Sequence, residues 1–317
     1  MSVAASWAGE RVAIAGATGF IGRVLVDRLE RRGAHVTLLV RDAASARERD
    51  VVVLSTDAPG ATAEALAEAL RARATGHVIN LAGYGVDPKA RMLQTAVRVN
   101  VELAALLAEA AASAGVRSFI HVGSNSEYAD PRTNQPVGED ASLETRRIYG
   151  ASKAAGSLMV QAIAASTALP AIVARLFNVY GPGEAPWRLL PSLHAALRSG
   201  RRAALSPGTQ VRDFLHVDDV ADGLIALAGA AAMGHREAVV NLCSGTGTSV
   251  RAFAEACGRA MRADPALLGF GDLPMRPDDI AHLVGSTRRL HEMTAWRPRF
   301  SLDEGLAQSI RALEGGE

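Results

Sequence analysis

Three groups of residues have types and spacings suited to chemistry. Tyr149 and Lys153 stand four apart in Tyr149-Gly150-Ala151-Ser152-Lys153, so a helix places a phenol and an ammonium on one face. Tyrosine, with an ordinary pKa of about 10, is a poor acid or base at neutral pH. A neighbouring ammonium favours the phenolate and makes proton exchange with a carbonyl or hydroxyl feasible. Ser124, in the run His121-Val122-Gly123-Ser124-Asn125-Ser126-Glu127-Tyr128, offers a hydroxyl to the same substrate oxygen, and Ser126 is an alternative donor in that loop. The third group is Gly16-Ala17-Thr18-Gly19-Phe20-Ile21-Gly22. Glycine permits a tight turn there, and the amides of the turn and of the helix it opens can approach a dinucleotide pyrophosphate. The spacing is G-x-x-G-x-x-G, not the G-x-G-x-x-G of the dinucleotide fingerprint. Hydride chemistry would belong to a nicotinamide, with the protein moving the matching proton.

The elements that must position these groups alternate along the chain. Arg11–Ala15, His35–Val40, Val51–Leu54, Val78–Leu81, Ser118–Val122 and Ala171–Leu176 are short β-rich runs. Between them lie helical patterns over Gly22–Arg32, Ala61–Arg73, Val99–Ala114, and from Tyr149 to about Ala165. Strands rich in Val, Ile and Leu, alternating with helices, predict an α/β fold: a Rossmann-type doubly wound parallel sheet. The glycine turn then follows the first strand, and Ser124 lies at the carboxyl end of the fifth, where α/β ligand sites form. After Phe177 the rhythm breaks at Gly181-Pro182-Gly183 and Pro186. A helix near Leu189–Arg198, a strand over Val211–Val217, a helix from about Asp219 and a strand over Ala238–Leu242 follow. This divides the chain into a dinucleotide-binding domain over 1–177 and a substrate-binding lobe mainly over 178–317, with segments near 211–242 returning to the first.

Composition excludes several classes. Lys and Arg total 34 against 33 Asp and Glu, so no basic field recommends nucleic acid or an anionic membrane as a partner. No apolar run reaches the roughly 18 residues of a membrane helix, and no secretory leader pattern is present. Cys243 and Cys257 are the only cysteines, which fits a reducing cytoplasm and two ordinary buried thiols. No His/Cys/Asp cluster has metal-ligand spacing. The expected setting is cytoplasmic.

Cofactor choice rests on the tip of the second strand, Leu38-Leu39-Val40-Arg41-Asp42. A carboxylate at the tip holds the ribose hydroxyls of NAD, whereas arginine accommodates the 2′-phosphate of NADP. Val40 occupies the tip and Arg41 follows, which favours NADP(H) over NAD(H). A shift of one residue would bring Asp42 to that place and restore the carboxylate.

Taken together, the chain resembles an extended short-chain dehydrogenase/reductase of the nucleotide-sugar epimerase/dehydratase group. The resemblance runs from Gly16–Gly22 through Leu81-Ala82-Gly83, Asn100, Ser124, Tyr149 and Lys153 to Arg175-Leu176-Phe177-Asn178-Val179-Tyr180-Gly181-Pro182-Gly183. It continues in Arg212-Asp213-Phe214-Leu215-His216-Val217-Asp218-Asp219 and in Asn241-Leu242-Cys243-Ser244-Gly245. It implies Tyr149 as the acid/base, Lys153 as the ligand of the nicotinamide ribose that also depresses the Tyr149 pKa, and Ser124 as the group that polarises the reacting oxygen. It further implies that Leu81, Ala82 and Gly83 line the cofactor, and that Asn178, Arg212 and Arg276 hold the diphosphate or ribose of a nucleoside-diphosphate sugar. For Arg212 the structural alternative is a pair with Asp213 or Asp218. Asn100 is expected to bond backbone. Members of the group dimerise through apolar helices, which here would be those near Val101–Ala114 and Ala154–Ala165.

Departures from the group narrow the chemistry. Its sugar dehydratases carry an Asp-Glu pair where this chain has Asn125 and Ser126, which disfavours 4,6-dehydration. Epimerases that retain NAD show the acidic strand tip that is missing here. The expectation is therefore an NADPH-dependent reductase of a nucleoside-diphosphate 4-keto-6-deoxyhexose. A nucleotide-sugar 4-epimerase with retained cofactor is the alternative, and a non-catalytic NADP-binding sensor the third.

Overall fold

In the computed structural model the described residues are 6–42, 49–54, 62–87, 89–90, 92–235 and 239–315. The apolar runs pair as a seven-stranded, wholly parallel sheet. Its strands are β1 (Arg11–Ala15), β2 (His35–Val40), β3 (Val51–Val53), β4 (His77–Asn80), β5 (Ser118–Ser124) and β6 (Ala171–Leu176). After β7 (Asn178–Tyr180), β8 (Ala203–Leu205) and β9 (Val211–His216), the chain supplies the seventh member, β10 (Val239–Leu242). The order across the sheet is β10-β6-β5-β4-β1-β2-β3. Strand order reverses between β1 and β4, which opens a crevice at their carboxyl ends. The glycine turn after β1 and Leu81–Gly83 after β4 both lie there.

Helices cover both faces, so the central strands are buried almost throughout. Helices α2 (Ala63–Ala72), α4 (Leu103–Ala114) and α5 (Ile148–Thr167) close one core with Phe119, Val173 and Leu107. On the other face α1 (Phe20–Arg31) and α7 (Val217–Ala232) close a second core with Ile14, Ile120 and Ile172. The helical run that ends in α4 begins earlier than the sequence predicts. A short helix, α3 (Leu93–Val97), runs into it through a π turn at Arg98–Glu102. Buried Asn100 in that turn receives the Tyr84 amide at 2.8 Å and donates to the Tyr84 carbonyl and the Ser152 hydroxyl. Its work is the backbone bonding expected of it. Ala61 and Ala238, expected to open a helix and a strand, lie outside the described residues.

The remaining elements build a smaller body beside the crevice. Strand β9 pairs with β7, β11 (Gly247–Ser249) and β13 (His282–Leu283), while β8 pairs with β12 (Leu268–Phe270). Helices α6 (Leu189–Arg198), α8 (Val250–Ala260) and α10 (Leu302–Gly315) enclose a separate core around Leu190, Phe253 and Leu306. Helix α9 (Arg288–Met293) leads back against the large sheet through Leu290.

Candidate active site

The catalytic loop is held from below by a buried ion pair. Glu127 accepts from the Ser124 amide at 2.9 Å, from the Ser157 hydroxyl of α5 at 3.0 Å and from Arg175 Nε of β6 at 2.8 Å. Glu127 and Arg175 are both excluded from water, and Arg175 also donates to the Glu139 carbonyl and lies over the Tyr128 ring. Two strands, the loop and helix α5 are thus joined at one carboxylate. Helix α5 comes close enough for this because of Gly150, where a Cβ would stand 2.1 Å from the Ser126 carbonyl oxygen.

Above that support the predicted groups converge. The Ser124 hydroxyl lies beside the Tyr149 phenol, close enough to bear on its pKa, and receives the Ser126 amide at 3.1 Å. Lys153, one turn on, is buried and donates to the Val122 carbonyl at 2.7 Å. The expected depression of the Tyr149 pKa by Lys153 is corrected here. Burial pushes the phenol up and the Glu127 charge adds to it, with the Ser124 hydroxyl and the Arg188 charge opposing. The Lys153 ammonium is instead occupied by a carbonyl, and burial lowers its own pKa. Burial of Tyr149 and the Glu127 charge both favour the neutral phenol over the phenolate at physiological pH.

Tyr149, Lys153, Ser124 and Ser126 line a cleft of about 560 Å³ together with Gly16, Gly19, Phe20, Ile21, Gly22, Leu81, Ala82, Gly83 and Asn178. The glycine turn fits a dinucleotide. Gly16 has φ +77° and a Cβ there would meet the Leu81 carbonyl carbon at 2.7 Å, while one on Gly22 would meet the Gly16 oxygen at 2.2 Å. Those two glycines let the turn close on itself. Helix α1 then starts at Gly19 with no side-chain cap and no acidic residue in its first turn, leaving its first amides facing the crevice for an anion.

Three predicted contacts are placed elsewhere. Thr18 is exposed and Arg41 is exposed just past β2; neither lines the cleft. Residues 43–48, which follow Arg41 and Asp42, lie outside the described residues. Arg276 is also exposed and off the cleft wall: it opens a turn in which its carbonyl accepts the Asp279 amide, so Asp279 and Ile280 form the wall instead. Arg212 does line the cleft, but its partner is Asp279, not Asp213 or Asp218. Its Nη1 also donates to the Val211 and Ile280 carbonyls, tying β9 to the segment before β13. Asp213 is taken up by Ser244, Gly245 and Gly285.

Sequence inspection missed the support and the far wall. Arg175 in an otherwise apolar buried strand was a signal, since a charge there requires a buried partner. Glu184, Trp187 and Arg188 also line the cleft, and only the four-residue Glu–Arg spacing hinted at a pair.

A family model for the NAD dependent epimerase/dehydratase family matches residues 12–243. The UDP-glucose 4-epimerase of Mycolicibacterium smegmatis is 29% identical over 95% of this chain and 97% of its own. The dTDP-6-deoxy-L-talose 4-dehydrogenase (NAD(P)(+)) of Kitasatospora kifunensis is 35% identical over 77% of each chain. Among solved structures, MoeE5 in complex with UDP-glucose and NAD superposes with a TM-score of 0.81 at 27% identity, over 97% of this chain and 99% of its own. With the glycine turn at the sheet's crossing point and Tyr149 and Ser124 lining the same cleft, this chain belongs to the NAD-dependent epimerase/dehydratase family, as an oxidoreductase-type enzyme of the extended short-chain dehydrogenase/reductase class.

Proposed function

We propose that the protein reduces the C4 ketone of a nucleoside-diphosphate 4-keto-6-deoxyhexose with NADPH. The observation that carries this reading is the Tyr149 phenol lining the cleft with Ser124, beside Asn125 and Ser126 where a dehydratase needs carboxylates. Asn125 is itself engaged, donating to Asn178 Oδ1 at 3.1 Å. Among the described residues the carboxyls on the cleft wall, Glu184 and Asp279, are paired with Arg188 and Arg212. Tyr149 then supplies the proton to the reacting oxygen and Ser124 holds that oxygen in place. A nicotinamide cofactor bound along Gly16–Gly22, Leu81–Gly83 and Lys153 supplies the hydride. The 4-dehydrogenase relative supports redox chemistry at C4 of a deoxysugar nucleotide.

Arg41, which follows the strand-tip residue Val40 and is exposed, is the sequence basis for NADP(H). Arg41→Asp should raise the NADPH KM far more than the NADH KM, and equal effects would remove the assignment. The experiment for the reaction is NADPH oxidation with a panel of 4-keto-6-deoxy sugar nucleotides, followed at the reduced-nicotinamide absorbance. A second reading, a 4-epimerase with retained cofactor, is favoured by the epimerase relative that matches nearly end to end. No NADPH oxidation, with cofactor co-purifying, would select it.

The assembly we infer is a homodimer through the helices near Val101–Ala114 and Ala154–Ala165, the second of which exposes Leu158 and Met159. A constant monomer mass by light scattering over a wide concentration range would end that assignment. Among the described residues no helix is long and apolar enough to cross a membrane. We place the enzyme in the cytoplasm, a setting in keeping with its two buried free thiols.

A further inference from the structure

The loop between β7 and α6 brings three side chains to the cleft wall that the reaction above leaves unused: Glu184, Trp187 and Arg188. Glu184 is 5% exposed, and its Oε1 accepts from Arg188 Nε at 2.9 Å. Its other oxygen, Oε2, is buried without a hydrogen-bond partner among the described residues. Arg188 has no second partner there either, so its two terminal nitrogens are unengaged. The Trp187 side chain is 54% exposed on the same wall.

A buried carboxyl oxygen with nothing to bond is costly, and burial accordingly pushes the Glu184 pKa up. The ion pair offsets charge and leaves bonding capacity on both partners. What fills that capacity must donate to a carboxylate and accept from a guanidinium at neighbouring atoms. An anion satisfies Arg188 and is repelled by Glu184, while an ammonium does the reverse. Two adjacent oxygens of a sugar ring, one a hydroxyl, satisfy both. To meet a ligand, Glu184 must turn about its broad terminal torsion so that Oε2 comes to the wall. The site also lines the same cleft as Tyr149 and Ser124.

We propose that Glu184 and Arg188 form a specificity subsite for the hexose ring, binding two neighbouring ring oxygens, with Trp187 covering the ring. This rests on the nucleotide-sugar reading above and adds the residues that recognise the sugar as distinct from the nucleotide.

The test is calorimetric titration of the full-length protein with UDP-glucose and dTDP-glucose, each beside its bare nucleoside diphosphate. Wild type, Glu184→Gln and Arg188→Met are compared, with thermal melting as the check on folding. A hydrogen bond to a charged group contributes about 1.5–3 kcal/mol. The sugar nucleotides should therefore bind roughly 10- to 100-fold more weakly to the variants, while UDP and dTDP bind as before. Should Glu184→Gln fail to fold, the half-exposed Arg188→Met carries the comparison. Equal weakening for sugar nucleotide and bare diphosphate, or no weakening at all, would overturn the subsite and leave the proposed function standing. Wild-type protein that binds neither kind of ligand would overturn both.

Discussion

The two walls of the cleft are built on different principles. The wall of β5 and α5 rests on two buried groups with several bonds each: Glu127 takes three donors and Asn100 bridges the Tyr84 backbone and Ser152. The facing wall, from Gly181 to Arg188, carries an ion pair with bonding capacity left over at Glu184 Oε2. A fully satisfied network fixes geometry, which proton transfer to one atom requires. Pairs with unspent donors and acceptors can be completed by a ligand. On the proposed function, the contrast separates the wall that would carry the reaction from the wall that would choose the molecule.

Removing the reacting group breaks the comparison most severely. Tyr149→Phe should lower kcat by about 10²–10⁴-fold and leave cofactor affinity, measured by fluorescence titration, unchanged. Because the acid is the protonated phenol and burial raises its pKa, the wild-type reduction rate should stay flat through neutral pH. It should fall only in alkali, as pH rises past a value above the ordinary 10. Full activity in the phenylalanine variant, or a decline already near pH 7, would remove Tyr149 from the role of donor.

Next in size is the support beneath it. Glu127→Ala leaves Arg175 charged and buried without its partner, and breaking such a pair costs about 3–5 kcal/mol. Urea unfolding should show that loss. A double replacement, Glu127→Leu with Arg175→Met, should recover most of the stability and little activity, since the Ser124 amide loses its acceptor. If the single variant unfolded at the wild-type urea concentration, the loop would have to be held by other contacts.

How much of this was legible beforehand follows from the range of each interaction. Strands β1, β2 and β6 appear at the predicted residues because wholly buried parallel strands are apolar runs with glycine or polar ends. The Tyr149–Lys153 pair and the glycine turn are local, so their spacing is their geometry. The π turn at Arg98–Glu102 was not legible, since it forms where Asn100 reaches across to Tyr84 and Ser152. The partner of Arg212 was misjudged for the same reason: Asp279 is 67 residues away in sequence, whereas Asp213 and Asp218 were near at hand. Arg276 was assigned by resemblance in a segment where one turn decides which residue faces the cleft.

Acid should divide the molecule along the same line. His216 caps α7 by accepting the Asp218 amide at Nδ1 (3.2 Å), and its Nε2 meets Ser309 Oγ, itself a donor to the Gly305 carbonyl. This bonding assigns the neutral Nε2–H tautomer. Burial pushes the His216 pKa down to about 4 from about 6.5 in the unfolded chain. Below about pH 6.5 the unfolded state binds the proton first, so stability is full above that pH and declines as pH falls toward 4. The loss from this one residue amounts to about 3 kcal/mol. His216→Asn keeps an acceptor for the cap and removes the titration, so its stability between pH 6.5 and 4 should fall less steeply than that of wild type. Parallel curves would assign the acid sensitivity to other buried groups, of which His121 is the first.

The smallest effect sharpens the comparison most, because it asks which wall Arg212 belongs to. Its guanidinium is bound on three sides, by Asp279 and two carbonyls, as a structural tie would be. It also lines the cleft, as an anion ligand would. Asp279→Asn keeps the size and an acceptor but removes the compensating charge. If Arg212 binds the diphosphate, bare UDP should bind a few-fold tighter, and the gain should fade as salt rises through the range where charges are screened. If Arg212 only ties β9 to β13, UDP affinity should not move and the melting temperature should drop by a few degrees, the equivalent of about 1 kcal/mol. The first outcome makes the selective wall a place where a single paired carboxylate sets how strongly phosphate is held. The second leaves recognition of the nucleotide to Asn178 and to backbone amides, and moves Arg212 to the side of the molecule that holds geometry.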